Sequence, residues 1–382
     1  MMNTATAPVV ESSLLLEKKR NYGIDLLRII SMFLVVCMHV LGKENILDNL
    51  TNGTWLYYSV WLLYTLAYPA VNCYALISGY VGYTSHHKYS NIINLHFQVW
   101  FYSFLGFSVG CVMSSGEVGV VSAVKALFPV RYNTYWYYTA YFCLFFFMPL
   151  LNKIFEGLNK ASATKLVVSV TVIYSILPTV YMRDFIGLSG GYSFLWLLIL
   201  YIIGVYVRKY RVFEKSSKRN LFLWLVGSLL VTWLSKVVIE LISETVLGVV
   251  MFQDLLFSYI SPTVLLSAVL ILGLFSKVRF KNSINKLITF IAPLTFGIYL
   301  LHENPFIRSH FVTGKFAYYL QFKPIITIIA ILGTVVAIFL IGLIVEFVRQ
   351  KLFKLIRVNK LSLWIEGVIA CIYRKVFNKK TL

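Results

Sequence analysis

The chain has 382 residues, of which 59% are apolar and only 13% are charged, and its formal net charge is +20. A soluble domain usually carries about 25% charged residues, so this composition excludes a soluble globular fold. The charges lie in short clusters between apolar runs long enough to cross a hydrocarbon core about 30 Å thick. The sequence therefore predicts an all-α, polytopic integral membrane protein.

Apolar runs of about 20 residues, the length that a membrane-spanning helix needs, recur along the chain. About ten spans are predicted, which lie near residues 23–42, 55–80, 92–115, 134–152, 165–182, 192–208, 221–240, 254–275, 284–302 and 325–348. A tail of residues 1–20 precedes a single membrane domain over residues 21–350. Residues 351–382 form a basic amphipathic segment that we expect to lie along the inner membrane surface.

The distribution of basic residues predicts the orientation, because cytoplasmic loops retain Lys and Arg. The N-terminal tail and the segments after every second span hold 26 of the 35 basic residues, whereas the opposite loops hold seven. Both termini are therefore expected in the cytoplasm. The basic clusters are short and lie at predicted membrane edges, so the expected partner is the lipid bilayer and no nucleic-acid partner is expected.

The first span carries three ionisable residues, and such residues inside a membrane usually face the bundle interior. Arg28 and His39 are about 20° apart after three helical turns, and Asp25 lies one turn before Arg28. The three share one face, with about 16 Å of helix rise between Arg28 and His39. A guanidinium suits an anion or phosphate, and an imidazole can accept a hydroxyl proton near neutral pH. The alternative is a local Asp25–Arg28 ion pair and a hydrogen-bonded packing histidine.

Small polar and aromatic residues lie near the ends of the second and fourth spans. Ser78 precedes Gly79 at the cytoplasmic end of the second span, where close helix packing or contact with a cytoplasmic substrate would suit the pair. Trp136 and Tyr137 open the fourth span at the opposite face. Stacking on a sugar is one role for these rings, and an aromatic belt at the membrane interface is the other.

Two further pairs of ionisable residues lie toward the outer face. His302 and Glu303 end the ninth span at the predicted level of His39, so they are candidates for acceptor binding or proton transfer, or for a simple helix cap. Lys236 and Glu240 form an i,i+4 pair that can be purely structural, and they are secondary candidates for substrate binding. His86, His87 and His96 lack ordered acidic or cysteine partners, so no metal site is predicted.

Four motifs together resemble the acyltransferase-3 family of membrane O-acyltransferases. In the first, Arg28, ten intervening positions and His39 match the spacing for which the family is known. The others are Ile77–Tyr80, Tyr135–Tyr138 followed by Pro149–Asn152, and Thr295–His302. Their order and the predicted topology resemble the family over nearly all of residues 20–350.

The resemblance implies transfer of an acyl group, usually acetyl from cytoplasmic acetyl-CoA, to a hydroxyl of an extracytoplasmic cell-surface or capsular polysaccharide or its lipid-linked precursor. His39 would be the catalytic base or a covalent acyl carrier. Arg28 would bind a CoA phosphate or align the thioester arm, Asp25 would orient Arg28, and Ser78 is a candidate donor contact. Acetyl-CoA is then a substrate, and no permanently bound cofactor is expected. The expected location is the plasma membrane of a bacterium, and a homo-oligomer is compatible with the sequence.

Two other function classes fit a multi-span protein. A transporter or flippase for a lipid-linked saccharide would suit the positive-inside pattern. Transporters often contain paired repeats and matched Gly/Pro-broken spans, which inspection of the sequence does not reveal. A non-catalytic sensor or assembly partner would not require Arg28 and His39 at the family spacing, so an enzyme is the favoured hypothesis.

Overall fold

The computed structural model describes residues 20–43, 45–113, 118–249, 251 and 254–377. Within these ranges the secondary structure is helical, with no β-strand, and eight stretches are long and apolar enough to cross a membrane. The prediction of an all-helical, polytopic membrane protein is confirmed, while the count of ten spans and the cytoplasmic termini stay predictions. Of the predicted tail, only Arg20 is described, and residues 378–382 of the C-terminal segment lie outside the described residues.

The described helices follow the predicted apolar runs. They are α1 (Tyr22–Lys43), α2 (Trp55–Ala67), α3 (Ala70–Gly82), α4 (Tyr89–Met113), α5 (Val120–Leu127), α6 (Trp136–Gly157), α7 (Lys160–Thr171), α8 (Leu177–Val180), α9 (Phe194–Lys209), α10 (Lys218–Leu247), α11 (Pro262–Ser276), α12 (Asn282–Ile291), α13 (Thr295–His302), α14 (Pro305–Phe311), α15 (Pro324–Leu355) and α16 (Val358–Phe377). Three candidate spans each combine two of these helices: α2 with α3, α7 with α8, and α12 with α13.

Two predicted spans correspond to helices that are shorter than the eight candidates. Helix α9 has 16 residues and α11 has 15. The predicted span 254–275 begins too early, because α11 starts at Pro262, a residue that suits the first turn of a helix and cannot donate a backbone hydrogen bond. Most of α9 is buried inside the bundle, so its neighbours surround it on several sides.

Helix α1 lies at the centre of the bundle, in contact with α2, α3, α11, α12, α13 and α15. In its most apolar 18-residue stretch, 61% of the residues are buried, compared with 17% for α10. The outer surface of α10 is apolar and includes Phe222, Leu223 and Trp224, as expected for a helix that faces lipid. Asp25 and His39 of this helix are therefore largely shielded by the other helices.

Helices α3 and α9 pack with their backbones in close contact. A Cβ atom on Gly79 would overlap the carbonyl group of Tyr201, and one on Gly204 would overlap the carbonyl oxygen of Leu76. Small residues of this kind allow membrane helices to pack with their backbones in contact. This contact agrees with the packing interpretation of Gly79.

We expect Gly79→Val to destabilise the protein, because the added side chain has to push α9 away. Overpacking of this kind costs about 1–3 kcal/mol. Thermal unfolding of the detergent-purified protein measures the effect, and Gly227→Val is the matched control because the site around Gly227 is open. Equal melting temperatures for the two variants would contradict the proposed packing role.

The ninth predicted span is interrupted just before α13. A 3₁₀ turn at Ala292–Leu294 contains Pro293 and separates α12 from α13, because a proline cannot supply the backbone donor that a continuous helix needs. Helix α13 packs on α1 and α15. Gly297 leaves space that the buried carboxylate of Glu346 on α15 fills. The break and this contact fix the orientation of the short helix that ends at His302.

The C-terminal segment forms α16, which packs along α4. Glu366 accepts a hydrogen bond from the backbone N–H of Tyr89 at 2.8 Å, and Ser362 donates to Asn94 at 2.9 Å. Leu363 and Trp364 are exposed. This amphipathic distribution agrees with the predicted position along the membrane surface.

Candidate functional site

The N-terminal end of α1 carries a buried carboxylate between two guanidinium groups. Asp25 is 5% exposed, and it accepts hydrogen bonds from Arg28 Nη1 at 2.8 Å and from Arg20 Nε at 2.6 Å. The local ion pair considered from the sequence is therefore present. It does not remove Arg28 from solvent, because 31% of that side chain is exposed.

Two cavities at this end of α1 are lined by basic side chains and share Arg20, Tyr80 and Arg208. The first has a volume of about 430 Å³ and is also lined by Asp25 and Arg28. The second, of about 740 Å³, adds Arg211, Lys277 and Arg279. Together they form a positively charged cleft, here called the basic cleft, whose size suits a phosphate-bearing ligand.

Arg208 is a basic-cleft residue that the sequence did not single out. Its guanidinium lies 5.1 Å from the centre of the Tyr80 ring, and its Nη1 donates to the Tyr80 hydroxyl at 3.3 Å. Its Nε is buried and has no hydrogen-bond partner among the described residues. In the sequence, Arg208 belongs to a cluster of basic residues that served only to predict the membrane topology.

The structure gives Ser78 a local role. Its hydroxyl donates to the carbonyl oxygen of Tyr74 at 3.2 Å, one turn earlier in α3, and it lines neither cavity of the basic cleft. Contact between Ser78 and the donor stays a prediction.

The C-terminal end of α1 carries the second group of polar residues. His39 Nδ1 lies 2.8 Å from His302 Nε2 and 3.1 Å from Glu303 Oε1. His302 and Glu303 are 3% and 6% exposed, and 13% of the His39 side chain is exposed. Arg308 Nη1 donates to the other carboxylate oxygen of Glu303 at 3.2 Å. These contacts join α1 to the end of α13, so residues 263 positions apart form one cluster.

The hydrogen bonds indicate where the protons of the two imidazoles lie. His302 Nδ1 is 2.6 Å from the carbonyl oxygen of Ile298, which can only accept, so Nδ1 carries the proton. Neutral His302 then has its acceptor at Nε2. His39 Nδ1, facing that acceptor and a carboxylate, is the donor, and neutral His39 has its lone pair on Nε2. This tautomer suits a general base.

Asn304 holds the segment after His302 and Glu303 in place. Its amide nitrogen donates to the Tyr102 carbonyl oxygen at 3.0 Å and to the Tyr135 hydroxyl at 2.9 Å. Its side chain fills the space that Gly106 leaves on α4. Sequence reasoning missed this anchor, because an Asn-Pro pair indicates a turn and says nothing about distant partners.

Aromatic side chains surround His39 in the bundle interior. A cavity of about 30 Å³ is lined by His39, Met32, Val35, Val71, Tyr74, Trp136, Tyr137, Tyr259, Phe296 and Tyr299. The Trp136 ring is half-buried, 4.7 Å from the Tyr192 ring and 6.3 Å from the Tyr259 ring. Trp136 and Tyr137 thus lie beside the His39 cluster. Aromatic residues that only formed a belt at the membrane interface would not need this position.

Lys236 and Glu240 lie in a separate polar region on the same side of the protein as His39. Lys236 Nζ pairs with Asp254 at 3.2 Å and lies 3.9 Å from the centre of the Trp61 ring. Glu240 accepts a hydrogen bond from the hydroxyl of Tyr57. The structural pairing of Lys236 with Glu240 that the sequence suggests stays a prediction.

The His39 cluster also has a donor set that can hold a metal ion. One ligand atom from each of His39, His302 and Glu303 lies within 4.8 Å of the other two, and two imidazoles with a carboxylate are a known ligand set for zinc. Glu303 is also bound to Arg308. The sequence analysis placed His302 and Glu303 at the level of His39 but did not consider the three as metal ligands, because it looked for metal-binding patterns only among histidines near one another in the chain.

Comparison with known proteins gives one match. A family model described as an acyltransferase domain, of the acyltransferase-3 type, matches residues 21–346. No curated protein and no solved structure matches the chain. The matched region runs from the first residues of the basic cleft through α13 to Glu346 on α15.

Proposed function

This chain belongs to the acyltransferase-3 family, and we propose that it transfers an acetyl group from cytoplasmic acetyl-CoA to a hydroxyl of an extracytoplasmic cell-surface or capsular polysaccharide, or of its lipid-linked precursor. The observation that carries this proposal is the buried hydrogen bond from His39 to the His302–Glu303 pair, at the opposite end of α1 from Arg28. One helix thus connects a cationic cleft with a candidate base, as the transfer requires.

The proposed topology places the basic cleft in the cytoplasm. Most Lys and Arg residues fall on that side of the predicted topology, which is typical of cytoplasmic loops. The phosphates of CoA would bind Arg28, Arg208 and their basic neighbours. The flexible thioester arm would then run along α1 toward His39, over about 16 Å of helix rise.

The chemistry follows from the tautomer of His39. Nε2 takes the proton of the acceptor hydroxyl while the oxygen attacks the thioester carbonyl. A new C–O ester bond forms, the C–S bond breaks, and the sulfur of CoA leaves with the proton returned by the imidazolium. Glu303, within 3.1 Å of Nδ1, stabilises the positive charge that His39 carries between these two events.

A covalent route uses the same residue. His39 Nε2 would attack the thioester carbonyl, the C–S bond would break, and CoA would be expelled as the thiolate, which leaves an acyl-imidazolium. The acceptor hydroxyl would then attack the acyl carbonyl, take the acetyl group and give its proton to the thiolate. Brief incubation with radiolabelled acetyl-CoA followed by rapid denaturation near neutral pH distinguishes the routes, since only the covalent route leaves label on the protein.

Sealed inside-out membrane vesicles test the proposed reaction. Radiolabelled acetyl-CoA added outside the vesicles is expected to label glycan inside them, in a time-dependent manner. A flippase would move saccharide without consuming acetyl-CoA or labelling the glycan. Absence of label in wild-type vesicles that contain the protein and the glycan would overturn the proposal.

We expect Arg28→Ala to raise the KM for acetyl-CoA about 10-fold to 100-fold, because hydrogen bonds to charged groups are worth about 1.5–3 kcal/mol. The kcat should change less, since Arg28 is about 16 Å of helix rise from His39. Steady-state kinetics in nanodiscs measures both constants. Arg219→Ala is the control, because Arg219 is an exposed arginine that lines neither cavity of the basic cleft. An unchanged KM for Arg28→Ala would exclude the donor-binding role.

A further inference from the structure

A third cavity, of about 540 Å³, opens beside the C-terminal end of α1. Gly42, one turn after His39, lines one wall, and another is lined by Trp61 and Tyr64 of α2 and by Tyr68, the residue that follows this helix. The three rings have i, i+3 and i+7 spacing, which places them on one face of the helix. We call this cavity the aromatic cleft. Its volume lies within the range of small-molecule sites.

The aromatic rings of the cleft support one another. The Tyr64 and Phe257 rings are nearly parallel, with centroids 6.1 Å apart, and the Trp61 and Phe257 rings meet edge to face at 5.2 Å. Tyr68 donates its hydroxyl proton to the Phe257 carbonyl oxygen at 2.8 Å. Rigid amphipathic rings of this kind give an apolar face for the C–H groups of a ligand.

Polar groups lie among the rings. Asp48 is exposed, and the side chain of Asp254 is 60% exposed although it pairs with buried Lys236. Trp61 is only 9% exposed, and its Nε1 donor has no hydrogen-bond partner among the described residues. The cleft therefore offers two carboxylate acceptors and apolar surfaces.

The aromatic cleft is next to the His39 cavity. The ring of Tyr68 lies 5.0 Å from the ring of Tyr259, and Tyr259 lines the cavity that contains His39. A single layer of aromatic rings thus separates a bound ligand from the candidate base. In the proposed reaction the acceptor hydroxyl has to pass this layer to reach His39.

We propose that the aromatic cleft binds the acceptor glycan and that the sugar unit receiving the acetyl group is neutral. This inference rests on the proposed function and adds the acceptor site and its chemical class. Sugars combine apolar C–H faces with hydroxyl donors, which match the rings and carboxylates. An acidic sugar would meet Asp48 and Asp254, whose repulsion Lys236 offsets only in part.

Two measurements on one preparation test the inference. Inside-out vesicles that contain the native acceptor receive radiolabelled acetyl-CoA, and Trp61→Ala is expected to lower acetyl transfer about 10-fold while acetyl-CoA hydrolysis by water is retained. Trp61→Phe keeps an aromatic face of smaller area, so we expect a smaller loss, about 3-fold. Trp55→Ala, at an exposed position of the same helix, is the matched control and is expected to keep the wild-type rate. Size-exclusion profiles verify that each variant is folded.

Tandem mass spectrometry of the labelled glycan identifies the acetylated sugar unit. A neutral hexose, deoxyhexose or N-acetylhexosamine would support the inference, whereas a uronic or nonulosonic acid would overturn its chemical class. Unchanged transfer in both folded Trp61 variants would overturn the aromatic cleft as the acceptor site while leaving the proposed function intact. Failure of the wild type to label glycan would overturn the proposed function and this inference with it.

Discussion

Replacing His39 with alanine is expected to lower acetyl transfer at least about 100-fold, because general-base catalysis contributes a factor of about 10²–10⁴. His39 is the residue of α1 that meets both His302 and Glu303, so its loss removes the base and breaks the cluster. The measurement is the O-acetyl content of surface glycan in cells, with protein level verified by immunoblot. The KM for acetyl-CoA should stay close to the wild-type value.

His310→Ala is the matched control for this variant. His310 lies on α14, on the same side of the bundle, and its Nδ1 lies 2.8 Å from the Phe306 carbonyl oxygen. We expect its loss to leave transfer near the wild-type rate. Full acetylation in His39→Ala cells would exclude the catalytic role and favour a transporter or sensor.

Glu303→Gln should lower kcat about 10-fold to 100-fold. The substitution keeps the shape and removes the negative charge that, in the proposed reaction, stabilises the His39 imidazolium, and hydrogen bonds to charged groups are worth about 1.5–3 kcal/mol. Since Glu303 does not contact the basic cleft, the KM for acetyl-CoA is expected to change little. Steady-state kinetics in nanodiscs gives both constants.

Glu244→Gln controls for the loss of a carboxylate, because Glu244 is exposed near the end of α10. A kcat equal to that of the wild type in Glu303→Gln would show that His39 works without this charge.

Dialysis against EDTA tests metal binding, the other chemistry open to the cluster. We expect no loss of wild-type activity, since the proposed reaction uses Glu303 as a charge partner. Inhibition by EDTA that zinc reverses would instead assign these residues to a metal ion.

The sequence predicted the helices well because apolar length is a local property. It also placed Asp25, Arg28 and His39 on one face of α1, since a helix of known period fixes the relative angles. The predicted outer level of His302 rested on the same counting. Helix periodicity gives no distances between side chains on different helices. The 2.8 Å contact between His39 and His302 depends on the break at Pro293 and on packing around α13.

Residues whose roles depend on distant partners were missed for the same reason. Arg208 lies in a basic cluster that served only to predict the membrane topology. Asn304 precedes a proline, and this pair indicates a turn. Glu346 lies near the end of a predicted span, yet it is fully buried and accepts hydrogen bonds from Tyr102 and Arg349. The i, i+3 and i+7 spacing of Trp61, Tyr64 and Tyr68 indicates one helix face. The cavity beside this face forms only when the chain folds.

The cavity around His39 is small, which limits the movement of charged groups across the membrane. A cavity of about 30 Å³ has room for one or two water molecules, which is too little for a hydrated ion. Each elementary charge moved across the bilayer gains or loses about 2.3 kcal/mol per 100 mV of potential. In the proposed reaction the acetyl group is uncharged, so its transfer past His39 would be indifferent to the potential, while the anionic nucleotide of the donor would stay on its own side.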